Sequence, residues 1–166
     1  MMFAYQCAAN LLQDKIILVT GAGSGLGRAA ALSYARHGAS VILLGRNETR
    51  LNAVYDEIEA LGGVQPAVMV LDLLKADDNN YQEVAETIAA EFGQLDGLLH
   101  NAGVISPPLP LEHTTLESWD QLLRVNLQSA RKFLLRAYEL EPDNPYIKNN
   151  LRLLGESEKS VKRSGN

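Results

Sequence analysis

Lys15-Ile-Ile-Leu-Val-Thr20 runs straight into Gly21-Ala-Gly-Ser-Gly-Leu-Gly27, and this stretch decides the fold. Four aliphatic residues in a row, Ile16 to Val19, predict a short strand buried on both faces. The glycines at 21, 25 and 27 permit a tight turn. Gly25–His37, stopped by Gly38, then has helical character. A strand, a glycine turn and a helix in that order aim free helix N–H groups and the positive end of the helix dipole at the turn. A diphosphate is the ligand that arrangement suits. The candidate contacts are Gly21, Ser24, Gly25, Leu26 and Gly27. The spacing is G-x-x-x-G-x-G rather than G-x-G-x-x-G, with Leu at 26. The Lys of a P-loop is absent, which disfavours ATP.

Working outward, strand-like and helix-like segments alternate, the signature of a parallel α/β sheet. Strands are expected at 39–45, 68–73 and 97–101, and helices at 48–61 and 80–92, with stops at Gly62-Gly63 and Gly93. A proline-rich loop, Ser106–Pro110, follows. Thr114 and Glu117 have capping-box spacing, so a long helix is expected to start there and run to about Leu140. Glu141-Pro-Asp-Asn-Pro145 breaks it. A last short helix is expected at Tyr146–Leu154, before a polar end at 156–166. The expected fold is a partial Rossmann sheet with strand order 3-2-1-4, flanking helices and a C-terminal helical hairpin.

The 166 residues, 46% hydrophobic and 21% charged, suit one soluble domain. A net charge of −5 gives no reason to expect a nucleic-acid partner. No run approaches the ~18 apolar residues of a membrane span, and the first residues lack a signal peptide's pattern. With one cysteine, Cys7, no internal disulfide can form, and a cytoplasmic protein is expected. No metal site is expected. Residues 1–130 carry 7 basic and 15 acidic residues, net −8, whereas 131–166 carry 8 and 5, net +3. That change of sign suggests two origins, with a nucleotide-binding domain at 1–129 and a helical tail at 130–166.

Residues 11–129 resemble the short-chain dehydrogenase/reductase family, whose nucleotide motif is T-G-x-x-x-G-x-G. Further motifs follow in order: Asp72 after the third strand, Asn101-Ala102-Gly103 after the fourth, and Asn126 in Val-Asn on the next helix. The family commonly has Asn where His100 stands. The resemblance implies that Asp72 and Leu73 flank the adenine, that Asn101, Ala102 and Gly103 shape the cofactor site, and that Asn126 is the Asn of a catalytic tetrad. Gly45-Arg46 ends the second strand with no carboxylate at its tip. An acidic residue there would bind the ribose hydroxyl of NAD, whereas the Arg46 guanidinium can grip the 2′-phosphate of NADP, which makes NADP the expected cofactor over NAD.

The rest of that family's tetrad is not found. The residues four beyond Tyr5, Tyr34, Tyr55, Tyr81, Tyr138 and Tyr146 are Ala9, Gly38, Glu59, Ala85, Pro142 and Asn150, so none completes Y-x-x-x-K. Tyr146 and Lys148 are two apart and do not share a helix face. Little or no carbonyl/alcohol hydride transfer is therefore expected of this chain alone. From Ala130 the sequence looks like part of a tetratricopeptide repeat, with the turn Ala137-Tyr-Glu-Leu-Glu-Pro-Asp-Asn144. Fewer repeats are present than a stable array needs. The alternative readings are a protein-interaction module, or a truncated or fused product, with a vestigial nucleotide site. A homo-oligomer or a protein partner would engage the C-terminal helices.

Overall fold

The computed structural model describes residues 8–105, 110–140 and 142–153. Cys7, most of the proline-rich loop, Glu141, Leu154 and the polar end lie outside the described residues. Two compact units emerge: one runs to Asp72 and includes Ile88–Ala102, and the other comprises Leu73–Thr87 and the chain from Gly103.

The first unit holds a four-stranded parallel sheet of β1 (Ile16–Thr20), β2 (Ser40–Gly45), β3 (Ala67–Val70) and β4 (Gly97–Leu99). The strand order is β3-β2-β1-β4, as expected. The register sets Val19 beside Leu43 on one side and Leu99 on the other. Burial explains the unbroken aliphatic runs: Val19, Val41, Ile42, Leu43 and Leu44 are 0% exposed. Each such side chain contributes about 1.5–3 kcal/mol by leaving water. Helices α1 (Gly25–Arg36) and α2 (Glu48–Ala60) supply Ala31, Leu32, Ala35, Leu51, Val54 and Ile58 to one core with Val19, Val41 and Leu43. Asn47 caps α2 by accepting from the Arg50 N–H at 3.0 Å.

Strands β3 and β4 are shorter than their apolar runs. After Leu99 the chain turns away from the ladder, because the Asn101 N–H is shared between the Leu99 carbonyl and the Thr20 hydroxyl, both at 3.1 Å. At the opposite end Asp96 ties two strand starts together. It accepts from the Ile16 N–H, the Lys15 ammonium and the Gln94 amide, each at 2.9 Å. Burial pushes its carboxyl up, but those bonds and the Lys15 charge outweigh burial and hold it below the ordinary value.

The second unit contains the first part of α3 (Asp78–Phe92), then α4 (Leu116–Leu123), a π-helical stretch at Arg124–Gln128, α5 (Ser129–Leu140) and α6 (Pro145–Leu153). The expected capping box is not the one used. Thr115 caps α4 by accepting from the Ser118 N–H at 3.2 Å, while the Thr114 hydroxyl turns back to the Pro110 carbonyl. Of two adjacent threonines, Thr115 has the extended backbone that a cap requires (φ −81°, ψ 155°).

The π turn interrupts the expected long α-helix without ending it. The Ser129 N–H reaches back five residues to the Arg124 carbonyl, and its buried hydroxyl donates to the Val125 carbonyl at 2.6 Å. The side chain thus satisfies a carbonyl that the wide turn would otherwise leave without its usual N–H. Beyond it, Phe133 meets Tyr81 edge to face, with centroids 5.0 Å apart at 82°. Lys132 pairs with Asp78 and lowers that carboxyl. Burial, with the Asp78 charge behind it, raises the Tyr81 phenol. Pro145 opens α6, where its missing N–H costs nothing, and Asn144 caps it by accepting from the Ile147 N–H at 3.3 Å.

Candidate functional site

In parallel α/β sheets ligands bind beyond the carboxyl ends of the strands, where the strand order switches direction. Here the switch lies between β1 and β4, which are neighbours in the sheet but far apart in sequence. Thr20-Gly21 leaves β1 there, and His100-Asn101-Ala102 follows β4. Gly45-Arg46 and Leu71-Asp72 leave β2 and β3 at the same edge, joined by the Leu71 N–H donating to the Gly45 carbonyl at 2.9 Å.

Three of the loop's four glycines have distinct geometric reasons. Gly21 has φ +66°, which makes the tight turn, and a Cβ there would come within 3.0 Å of the Ala102 Cα and Asn101 Nδ2. Gly25 has φ +55°, yet a Cβ on it would meet nothing within 4 Å, so this backbone faces open space at the start of α1. Gly27 is buried, and a Cβ there would collide with the Gly21 carbonyl oxygen and stand 2.5 Å from Asn101 Nδ2. A tight turn, an open stretch of backbone and close helix packing are what a dinucleotide loop requires of its glycines.

The electrostatics agree with an anion. Ser24 precedes α1 but makes no side-chain capping bond, and the first turn of α1 carries no acidic residue. Arg28, in that turn, is engaged by Glu57 of α2 through both carboxylate oxygens. Arg46 is exposed and, among the described residues, makes no hydrogen bond or ion pair. Leu26 is 81% exposed beside the loop. A diphosphate on the α1 terminus and a further phosphate at Arg46 fit this set of donors.

Asn101 braces the loop by donating from Nδ2 to the Thr20 carbonyl at 3.1 Å and the Gly21 carbonyl at 3.4 Å. Sequence reasoning missed Thr20 as a site residue. It is fully buried, and its hydroxyl accepts from the Asn101 N–H at 3.1 Å and the Ala102 N–H at 3.0 Å. The available signal was one hydroxyl at the end of an otherwise aliphatic strand. Asp72 is half-buried just past β3.

Gly103, Leu73 and Asn126 belong to the second unit. Gly103 is exposed and Leu73 is buried. The Asn126 side chain is spent on one backbone position, accepting from the Val104 N–H at 2.8 Å and donating to the Val104 carbonyl at 2.9 Å. Among the described residues no group of three or more His, Cys, Asp or Glu could hold a metal. No helix of the described residues is long and apolar enough to cross a membrane.

Comparison with known proteins bears on this geometry. The short chain dehydrogenase family matches residues 15–139. The Escherichia coli K12 protein named "Uncharacterized oxidoreductase YciK" is 46% identical over 125 residues, 75% of this chain and 50% of its own length. A Shigella flexneri 2a structure solved with NADP has a TM-score of 0.78 at 39% identity, covering 83% of this chain and 58% of the other. An Escherichia coli CFT073 structure solved with NADPH has a TM-score of 0.74 at 41% identity, covering 78% and 57%. The chain spans about half the length of the curated relatives it matches. With the loop geometry and a family match over three quarters of its residues, this chain belongs to the short chain dehydrogenase family.

Proposed function

We propose that this chain binds NADP(H) and supplies the nucleotide-holding half of a carbonyl/alcohol oxidoreductase site. The observation that carries the reading is the open backbone at Gly25 together with the unengaged Arg46 at the tip of β2. The loop N–H groups from Ser24 to Gly27 hold the diphosphate, Arg46 holds the 2′-phosphate, and Asp72 and Leu73 bracket the adenine. Asn101, Ala102 and Gly103 form the floor, and Leu26 offers an apolar contact. Asn126 holds the Val104 backbone in place. When bound, the nicotinamide gives or takes a hydride. No Tyr of this chain has a Lys four residues on to move the accompanying proton, so carbonyl turnover by this chain alone is not expected.

Titration with NADPH and NADH tests the reading. The wild type should prefer NADPH, and Arg46→Ala should lose about 10- to 100-fold of NADPH affinity with little change for NADH, the scale of a charge-assisted bond. Equal affinities in the wild type would refute the role given to Arg46, and robust NADPH-dependent reduction of a carbonyl panel would refute the inactivity.

A second reading concerns partners. Leu116, Trp119, Leu123 and Leu127 are 80%, 45%, 43% and 47% exposed and recur at helical spacing along α4 and the π turn. Glu117 and Asp120 flank the start of this row and Arg124 its far end, so two antiparallel copies would set acid against base. We therefore propose self-association through α4. Sedimentation should show a wild-type dimer and a Leu123→Lys monomer; a monomeric wild type would end the idea. As a division of sequence origin, residues 1–129 are read as the nucleotide-binding part and 130–166 as a TPR-like tail. The change in charge sign and the Ala137–Asn144 turn support that division.

A further inference from the structure

Thr20 is 0% exposed, and its hydroxyl oxygen accepts two backbone N–H bonds, from Asn101 and from Ala102. A hydroxyl has two acceptor positions and one proton to give. Both acceptor positions are taken, so the proton must go to an acceptor. Among the described residues the group within reach is Nδ1 of His100, 3.5 Å from the Thr20 oxygen. An imidazole that carried a proton on Nδ1 would face the hydroxyl donor to donor.

We infer that His100 is a positioning residue that acts through Thr20: its ring is neutral, protonated at Nε2, and takes the Thr20 hydroxyl proton at Nδ1. That bond fixes the rotor of the hydroxyl, and the hydroxyl fixes the Asn101-Ala102 turn. Asn101 in turn braces the Thr20 and Gly21 carbonyls under the glycine loop. The chain His100–Thr20–Asn101 thus sets the shape of the loop through bonds within the protein. Any effect on cofactor affinity rests on the NADP(H) reading; the tautomer does not.

Two measurements separate them. Long-range ¹⁵N–¹H NMR of the imidazoles in the wild-type, ligand-free protein at pH 8 reads the tautomer directly, with His37→Gln and His113→Gln variants assigning the remaining histidines. The expected result for His100 is an unprotonated Nδ1 and a protonated Nε2; an Nδ1–H ring overturns the proposal whatever the protein binds. NADPH titration then compares variants. His100→Leu should lose about tenfold in affinity, the scale of leaving one buried donor unpaired. His100→Asn, which can place a carbonyl oxygen as acceptor, should recover to within about twofold. Equal loss in both variants overturns the positioning role. If the wild type does not bind NADPH, the functional reading fails, and the NMR result alone decides this one.

Discussion

The strand-end loop around Gly21 and the helix that begins at Leu116 obey opposite rules. In the first, every described buried polar side-chain atom has a partner, and Gly27 has no room for even one more carbon. In the second, α4 buries none of its residues and shows leucines and a tryptophan to solvent. The first region is specified from within, by contacts among residues close to the turn. The second presents an apolar face to solvent.

Substitutions can break that contrast. The largest effect should come from Gly27→Ala, whose Cβ strikes the Gly21 carbonyl. A stability loss of about 3 kcal/mol and no measurable NADPH binding are expected, by thermal melting and titration. Leu116→Ala, by contrast, should stay within about 0.5 kcal/mol. A melting temperature for Gly27→Ala equal to the wild type would show that the loop is looser than its geometry. Asn126→Ala removes both bonds to Val104 and should cost about 1–2 kcal/mol, because the exposed Val104 groups can turn to water. A loss as large as that of Gly27→Ala would mean that the second region is as tightly specified as the first.

The smallest effect is set by pH. The folded state holds the Asp96 carboxyl below its ordinary value, so its contribution to stability is complete above about pH 4. It is lost as pH falls through the lowered folded-state value. The melting-temperature gap between wild type and Asp96→Asn should therefore be widest at neutral pH and close on acidification. A gap that does not change from pH 7 to pH 3 would remove Asp96 from the account.

Legibility in the sequence divides along the same line. The strands themselves, the glycine loop and Arg46 at the tip of β2 could be read because each rests on residues adjacent in sequence, and the strand order came with the family resemblance that those motifs carry. Val19 and Leu43 had to be buried wherever their strands lay. Less was legible where two local options compete or where a partner is distant. Thr114 and Thr115 offer the same hydroxyl, and their spacing from the helix leaves the choice of cap open by one residue. Thr20 reads as a strand residue until Asn101 and Ala102, some eighty residues away, arrive to use its oxygen. The π turn depends on a bond within Val125–Ser129 that hydrophobic spacing does not encode.

That π turn has a consequence for chain length. It holds one residue more than the α turn it replaces. Elsewhere in the helix, removing a residue would rotate everything downstream by about 100° and swing Phe133 away from Tyr81. Between Arg124 and Gln128 a one-residue deletion instead restores an ordinary α-helix and leaves α5 in phase. The stretch works as an expansion joint, where the chain can shorten by a residue without re-aiming α5.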